Sequence, residues 1–207
     1  MYTGIVQGLI PIKSTDWQEG LLSFSVDLPD SLIHGLETGA SVSFNGVCLT
    51  VTAINGNEVC FDAIAATLAL SNLAHLSEGT MVNVERSANH GAEIGGHVLS
   101  GHIIGTATVK QVERSENNCR MTFQIDGDWL KYVFDKGFLA VNGASLTVAD
   151  LSLTDGTFVI NLIPETMKRT NFALLKEGDP VNIEVEGQTQ VIVDTVERVM
   201  ATRYANS

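Results

Sequence analysis

The sequence predicts an all-β protein built twice over, with one small closed barrel in each half and a single helix at the end. Three observations carry that expectation. The two halves of the 207-residue chain share blocks in the same order. Each half reads as short strands separated by Asn-Gly and other glycine turns. The tail, 188–207, drops that pattern and repeats apolar residues at helical spacing.

The duplication is the most specific of the three. SVSFNGVCLTV at 41–51 matches FLAVNGASLTV at 138–148, with Asn45, Gly46, Leu49, Thr50 and Val51 each returning 97 residues later. ATLALSNLA at 66–74 matches ETMKRTNFA at 165–173, and LSEGTMVNVE at 76–85 matches LKEGDPVNIE at 175–184. The openings correspond too, Gly4-Ile5-Val6 with Gly101-His102-Ile103. A period this long marks a doubled domain and not a solenoid. The boundary should fall in the polar, glycine-rich stretch 88–96.

Within each half, GLLSFSVDLP, VNVERS and VNIEVE alternate as half-buried strands do. Asn45-Gly46, Asn55-Gly56 and Asn142-Gly143 are turn signals, because both residues tolerate positive φ. A short helical stretch near SNLAHL completes a small closed barrel per half. In the tail, Ile192, Val193, Val196, Val199 and Met200 form an apolar stripe with no copy in the first half. It packs either on its own domain or on another subunit.

Composition narrows the function. With 44% apolar and 17% charged residues the chain can bury real cores. A formal net charge of −12 opposes binding to phosphate backbones, so no nucleic-acid partner is expected. Three cysteines, Cys48, Cys60 and Cys119, cannot all pair internally and suit a reducing compartment. No apolar run reaches the ~20 residues of a membrane span, and the start lacks the pattern of a signal peptide. A cytoplasmic protein with no membrane association is the expectation.

The segments MYTGIVQG, NGVCLTV, IGGHVLSGHI, NGASLTV, IPETMKRTNF and VDTVERV resemble the signature segments of the alpha-type riboflavin synthases, over almost the whole chain. The resemblance implies two similar six-stranded Greek-key barrels, read here as lumazine-binding units over 1–97 and 98–187. An oligomerisation helix over 188–207 follows, in a homotrimer whose active sites lie between subunits. It implies dismutation of two 6,7-dimethyl-8-ribityllumazine molecules by transfer of a four-carbon unit. The products are riboflavin and 5-amino-6-(D-ribitylamino)uracil, with no cofactor and no metal. The alternative is a non-catalytic lumazine- or flavin-binding relative of the lumazine-protein or yellow-fluorescent-protein type. The persistence of both NGxxLTV blocks and both openings favours the enzyme.

The residues agree with that chemistry. A reaction between two identical molecules needs two similar surfaces, and a duplicated domain supplies them. In an alternating strand, Cys48 and Thr50 can line a pocket while Leu49 enters the core, and Ser145 and Thr147 can do the same around Leu146. A single such strand would more often be a polar edge with one buried thiol. Duplication and resemblance reverse those odds. Cys48 against Ser145 makes the halves chemically unequal, as a donor and an acceptor site should be. Gly4 and Gly101 would let a flat ring approach backbone donors and acceptors in Thr3-Gly4-Ile5-Val6 and Gly101-His102-Ile103. His102 could move protons near neutral pH, and the C7 methyl of the lumazine is unusually acidic.

The resemblance further implies ligand contacts from Asp62, Ala63, Ile64, Ala65, Ala66 and Thr67 in the first half. In the second it implies Asn161, Leu162, Ile163, Pro164, Glu165, Thr166 and Lys136. Thr67 and Thr166 could equally be helix N-caps. Three positions depart from the family pattern. Tyr2 replaces a phenylalanine and brings a hydroxyl that needs a partner. Glu186 replaces an aspartate and is one methylene longer at a place implicated in proton transfer. Ala66 stands where glutamate is common. His97 and His102, with His90 nearby, invite a metal site, but opposite strand faces and no adjacent carboxylate or thiol cluster argue against it.

Overall fold

In a computed structural model, residues 1–89, 91–125 and 127–205 are described. The first half forms β1 (Gly8–Gln18), β2 (Leu21–Asp27), a short α1 (Asp30–Ile33), β3 (Ser41–Phe44), β4 (Val47–Asn55), β5 (Glu58–Ile64), α2 (Ala65–Leu70) and β6 (Met81–Arg86). The second repeats it as β7 (Gly105–Arg114), β8 (Cys119–Ile125), β9 (Phe138–Val141), β10 (Ala144–Ser152), β11 (Thr157–Leu162), α3 (Pro164–Arg169) and β12 (Pro180–Val185). A helix α4 (Gly187–Ala205) follows.

The strands close into two antiparallel barrels, β1-β2-β5-β4-β3-β6 and its counterpart β7-β8-β11-β10-β9-β12. The expected two-barrel, Greek-key fold with a terminal helix is therefore what the chain adopts. Alternation builds each core. Phe24, Phe44 and Phe61 meet inside the first barrel with ring centroids 4.5 to 5.6 Å apart, and Phe123 stacks on Phe158 at 5.0 Å in the second. A register shift between Val51 and Ala53 in β4 recurs between Val148 and Asp150 in β10. Such bulges bend a strand enough to close a small barrel.

The two Asn-Gly turns join the barrels. Asn45, Gly46, Asn142 and Gly143 all have positive φ, between 45° and 85°, as a tight primed hairpin turn requires. The turns lie back to back: a Cβ on Gly46 would sit 2.9 Å from the Gly143 nitrogen. Around them six buried asparagines exchange hydrogen bonds across the pseudo-twofold axis. Asn72 N–H donates to Asn182 Oδ1 at 2.6 Å, and Asn171 N–H donates to Asn83 Oδ1 at 2.7 Å. Asn83 Nδ2 donates to the Asn142 carbonyl and Asn182 Nδ2 to the Asn45 carbonyl, both at 2.9 Å. Pairing every buried amide avoids the ~1–3 kcal/mol each would cost if left unsatisfied.

The opening segments cross between the halves. Tyr2 and Leu99 exchange two backbone hydrogen bonds, of 2.8 and 2.9 Å. Val6 packs on the second barrel's core, and Ile103 packs on the first. Residues 99–103 are therefore part of an exchanged arm and more than a linker.

Candidate half-sites in two splayed barrels

The strand register explains where each half opens. Pairing between β4 and β5 starts only at Val51↔Phe61 and runs away from Cys48. Pairing between β10 and β11 likewise starts at Val148↔Ile160. Cys48, Leu49 and Thr50 thus lie across a gap from Asp62, Ala63 and Ile64, and Ser145, Leu146 and Thr147 across a gap from Asn161 and Leu162. A strand edge without its neighbour presents free amide donors and carbonyl acceptors, which suits the edge of a flat heterocycle.

The crossed arms enter these gaps. Cys48 N–H donates to the Gly101 carbonyl at 2.9 Å, and Ser145 N–H donates to the Gly4 carbonyl at 2.8 Å. Both glycines have positive φ, and a Cβ on either would lie 2.5 Å from the Cβ of Cys48 or Ser145. Two buried carboxylates latch the arms. Glu85 on β6 accepts from the N–H and hydroxyl of Thr3, both at 2.7 Å, and from Gly4 N–H at 3.0 Å. Glu184 on β12 accepts from the N–H and hydroxyl of Ser100 at 2.6 and 2.7 Å, and from Gly101 N–H at 3.0 Å. Burial pushes both carboxyls above their usual range, and the donated hydrogen bonds oppose that shift. Two clefts flank the latches. One, of about 600 Å³, is bounded by His102, Ile103, Glu184 and Glu186; the other, of about 860 Å³, by Thr3, Ile5, Val6 and Glu85.

Burial alternates as expected around Leu49 in β4 and less sharply around Leu146 in β10. Leu49 is in the first core while Thr50 is exposed and Cys48 half-buried. In β10, Ser145 and Leu146 are half-buried and Thr147 is exposed. Asp62 and Ile64 point outward, and Asp62 accepts a hydrogen bond from Ser23 at 2.6 Å. Ala63 and Leu162 are core residues, so only their backbones can face a ligand. Ala65 and Ala66 open α2 and are exposed, as are Asn161, Ile163, Pro164 and Glu165 in the second half. Glu165 pairs with Arg169. Thr67 and Thr166 are not N-caps. They lie inside α2 and α3, where their carbonyls accept the hydroxyls of Ser71 and Thr170. Lys136 holds φ 63° and donates from Nζ to the Ala149 carbonyl at 3.1 Å.

The halves differ in what meets Cys48 and Ser145. In the first, the Tyr2 hydroxyl donates to Cys48 Sγ at 3.1 Å. In the second, His97 Nδ1 meets Ser145 Oγ at 2.6 Å. His97 is 6% exposed, stacks on Phe138 with centroids 5.3 Å apart, and leaves Nε2 buried without a partner. Burial pushes this imidazole below its ordinary value, while the charge of Glu186 pulls it back. Glu186 itself immediately precedes α4 and accepts from the Thr189 hydroxyl.

His97 was legible only as a metal candidate, and Glu85 and Glu184 only as matched letters in the repeats VNVE and VNIE. His102 is exposed, while His97 faces Ser145; His90 lies outside the described residues. Among the described residues no group of three or more His, Cys, Asp or Glu side chains is placed to hold a metal ion.

The sequence profile of the Lumazine binding domain family matches residues 3–87 and again 100–186. This chain belongs to the lumazine-binding domain family. It is 50% identical to the riboflavin synthase of Escherichia coli (strain K12) over 204 residues, which is 98% of this chain and 95% of that one. Two crystal structures of LumP share the fold at 28% identity, covering 90% of this chain and all of theirs. One is complexed with 6,7-dimethyl-8-(1'-D-ribityl) lumazine, at a TM-score of 0.82, and the other with riboflavin, at 0.84. The profile's two matches coincide with the two barrels, so membership of this family reaches both half-sites.

Proposed function

We infer that the chain is a riboflavin synthase, a transferase that converts two molecules of 6,7-dimethyl-8-ribityllumazine into riboflavin and 5-amino-6-(D-ribitylamino)uracil. The observation that carries this is the pair of equivalent openings with unequal chemistry, Tyr2–Cys48 in one and His97–Ser145 in the other. Four carbons pass from one lumazine to its twin, and the atoms balance with nothing added. Catalysis therefore needs two rings held together and protons moved between them.

Each barrel is read as one lumazine-binding unit, within 1–97 and 98–187. The splayed edge of β4 or β10 takes the pteridine edge through backbone groups, with Thr50 or Thr147 beside it. The segments 62–67 and 161–166 close the other side. His102 stands exposed beside Glu184 and is suited to proton transfer at the acidic C7 methyl. In the second half-site, neutral His97 can accept the Ser145 proton, and Glu186 stabilises the charged imidazole that results.

The outward placement of Thr50 and Thr147 leaves each half-site open, so a second copy of the chain is the natural cover. Helix α4 supports a homotrimer. Of its stripe, Ile192, Val196, Val199 and Met200 are 47–63% exposed while Val193 is half-buried, so most of the stripe is not spent on its own barrel. No helix among the described residues is long and apolar enough to cross a membrane, which is compatible with a cytoplasmic enzyme. Incubating the purified protein with the lumazine and following the absorbance of riboflavin tests the activity. Binding without conversion would instead assign a lumazine-protein role.

A further inference from the structure

We propose that the Tyr2 hydroxyl is a positioning group for Cys48, holding the sulfur in the first half-site by donating a hydrogen bond to it. The inference rests on the synthase reading above.

Tyr2 is 2% exposed, and its ring lies in one cluster with Leu99, Ala140 and Cys48. Its backbone is fixed by the paired bonds to Leu99. A Cβ on Gly101 would come within 2.5 Å of the Cys48 Cβ and 2.9 Å of the Tyr2 Cε2, so glycine is what lets ring and thiol meet. A buried phenol must place its O–H on an acceptor. The acceptor is Cys48 Sγ, at 3.1 Å.

The direction of donation follows from the surroundings. Burial first, then the bond to Cys48 and the charges of Glu85 on β6 and Glu184 on β12, push the phenol well above its ordinary value. It therefore stays protonated and remains the donor throughout the working pH range. With Sγ held by this bond, the side chain has a defined direction in which to meet a ligand lying on β4. The second half-site has no such device. Leu99 takes the matching place beside Gly4, and Ser145 is held by His97. A phenylalanine at position 2, the usual family residue, would fill the same space and hold nothing.

The test is Tyr2→Phe, which removes one oxygen and keeps the ring, combined with Cys48→Ala and Cys48→Ser in a double-mutant cycle. With the lumazine as substrate, Tyr2→Phe should lower kcat about fivefold to tenfold and leave KM within about twofold, as loss of one hydrogen bond made to a reacting group would. In the Cys48→Ala background it should change kcat no further. In the Cys48→Ser background the loss should return, because a serine oxygen can accept the same bond. The S–H stretching band of Cys48, assigned by difference against Cys48→Ala, should shift in Tyr2→Phe, and this readout needs no turnover. An unmoved band, or a kcat loss just as large without the thiol, overturns the positioning role. A shifted band in a protein that makes no riboflavin overturns the synthase reading and leaves the contact standing.

Discussion

Ser145 Oγ and His97 Nδ1 lie 2.6 Å apart, and the far nitrogen of the same imidazole is buried without a partner. Burial lowers the His97 value, so the neutral ring is the folded form at pH 7. A depressed folded value means the ring's contribution to stability is present above the unfolded value of about 6.5. It is lost as pH falls through the folded one. The His97 ring signals in a proton NMR titration should therefore move at a pH below about 6.5. Glu186→Gln should lower that midpoint further by removing the opposing charge. The melting temperature of the native chain should fall more between pH 7 and pH 5 than that of His97→Gln. A midpoint at or above the ordinary value contradicts this account.

Cys48 carries the equivalent place in the first half-site. Cys48→Ala should cut kcat by roughly a hundredfold, the scale of a lost proton-transfer or hydrogen-bonding group, while riboflavin affinity falls little. Cys48→Ser should keep more activity, because the hydroxyl can replace the thiol as a hydrogen-bond partner. Steady-state kinetics beside thermal unfolding separates this from space-filling, in which both variants would lose stability and little rate per folded molecule.

The back-to-back turns can be tested on stability alone. Gly143 has φ 78°, and a Cβ there would lie 2.6 Å from the Gly46 nitrogen. Gly39 has φ 89° with nothing within 4 Å. Gly39→Ala should cost only the left-handed backbone penalty, about 1–2 kcal/mol. Gly143→Ala must also push two backbones apart, and should cost about 3 kcal/mol or more in urea unfolding. Equal losses would mean that the turns are not in essential contact.

The tail gives an assembly prediction. Deleting the residues after Gly187 removes an exposed apolar stripe and the contacts of Tyr132 with Asp194 and Lys131 with Glu197. The shortened chain should stay folded, sediment as a smaller species, and lose turnover. An unchanged oligomer with full activity would separate α4 from assembly.

Much of this fold was legible because its signals are local. Asn45-Gly46 and Asn142-Gly143 announce turns by their own backbone tolerance, and Cys48-Leu49-Thr50 declares its faces by a period of two. The ends of β4 and β10 could be named for the same reason. What stayed hidden depends on contacts across nearly a hundred residues. Glu85 and Glu184 read as ordinary polar strand positions, and only the crossing of the arms gives each three donors. Asn72, Asn83, Asn171 and Asn182 were visible as repeats, but their worth comes from meeting at the pseudo-twofold axis. His97 precedes the second repeat and has no counterpart in the first, so duplication could not flag it. Thr67 and Thr166 misled for the opposite reason: their hydroxyls suit a cap locally, yet α2 and α3 begin at Ala65 and Pro164.

The central claim is that two unequal half-sites turn two identical molecules into two different ones. Its most direct measurement is the product balance, with purified protein, 6,7-dimethyl-8-ribityllumazine and buffer as the only components, each species followed by chromatography. The account predicts one riboflavin and one 5-amino-6-(D-ribitylamino)uracil for every two lumazines consumed, over many turnovers. Lumazine that is bound and recovered unchanged would contradict it.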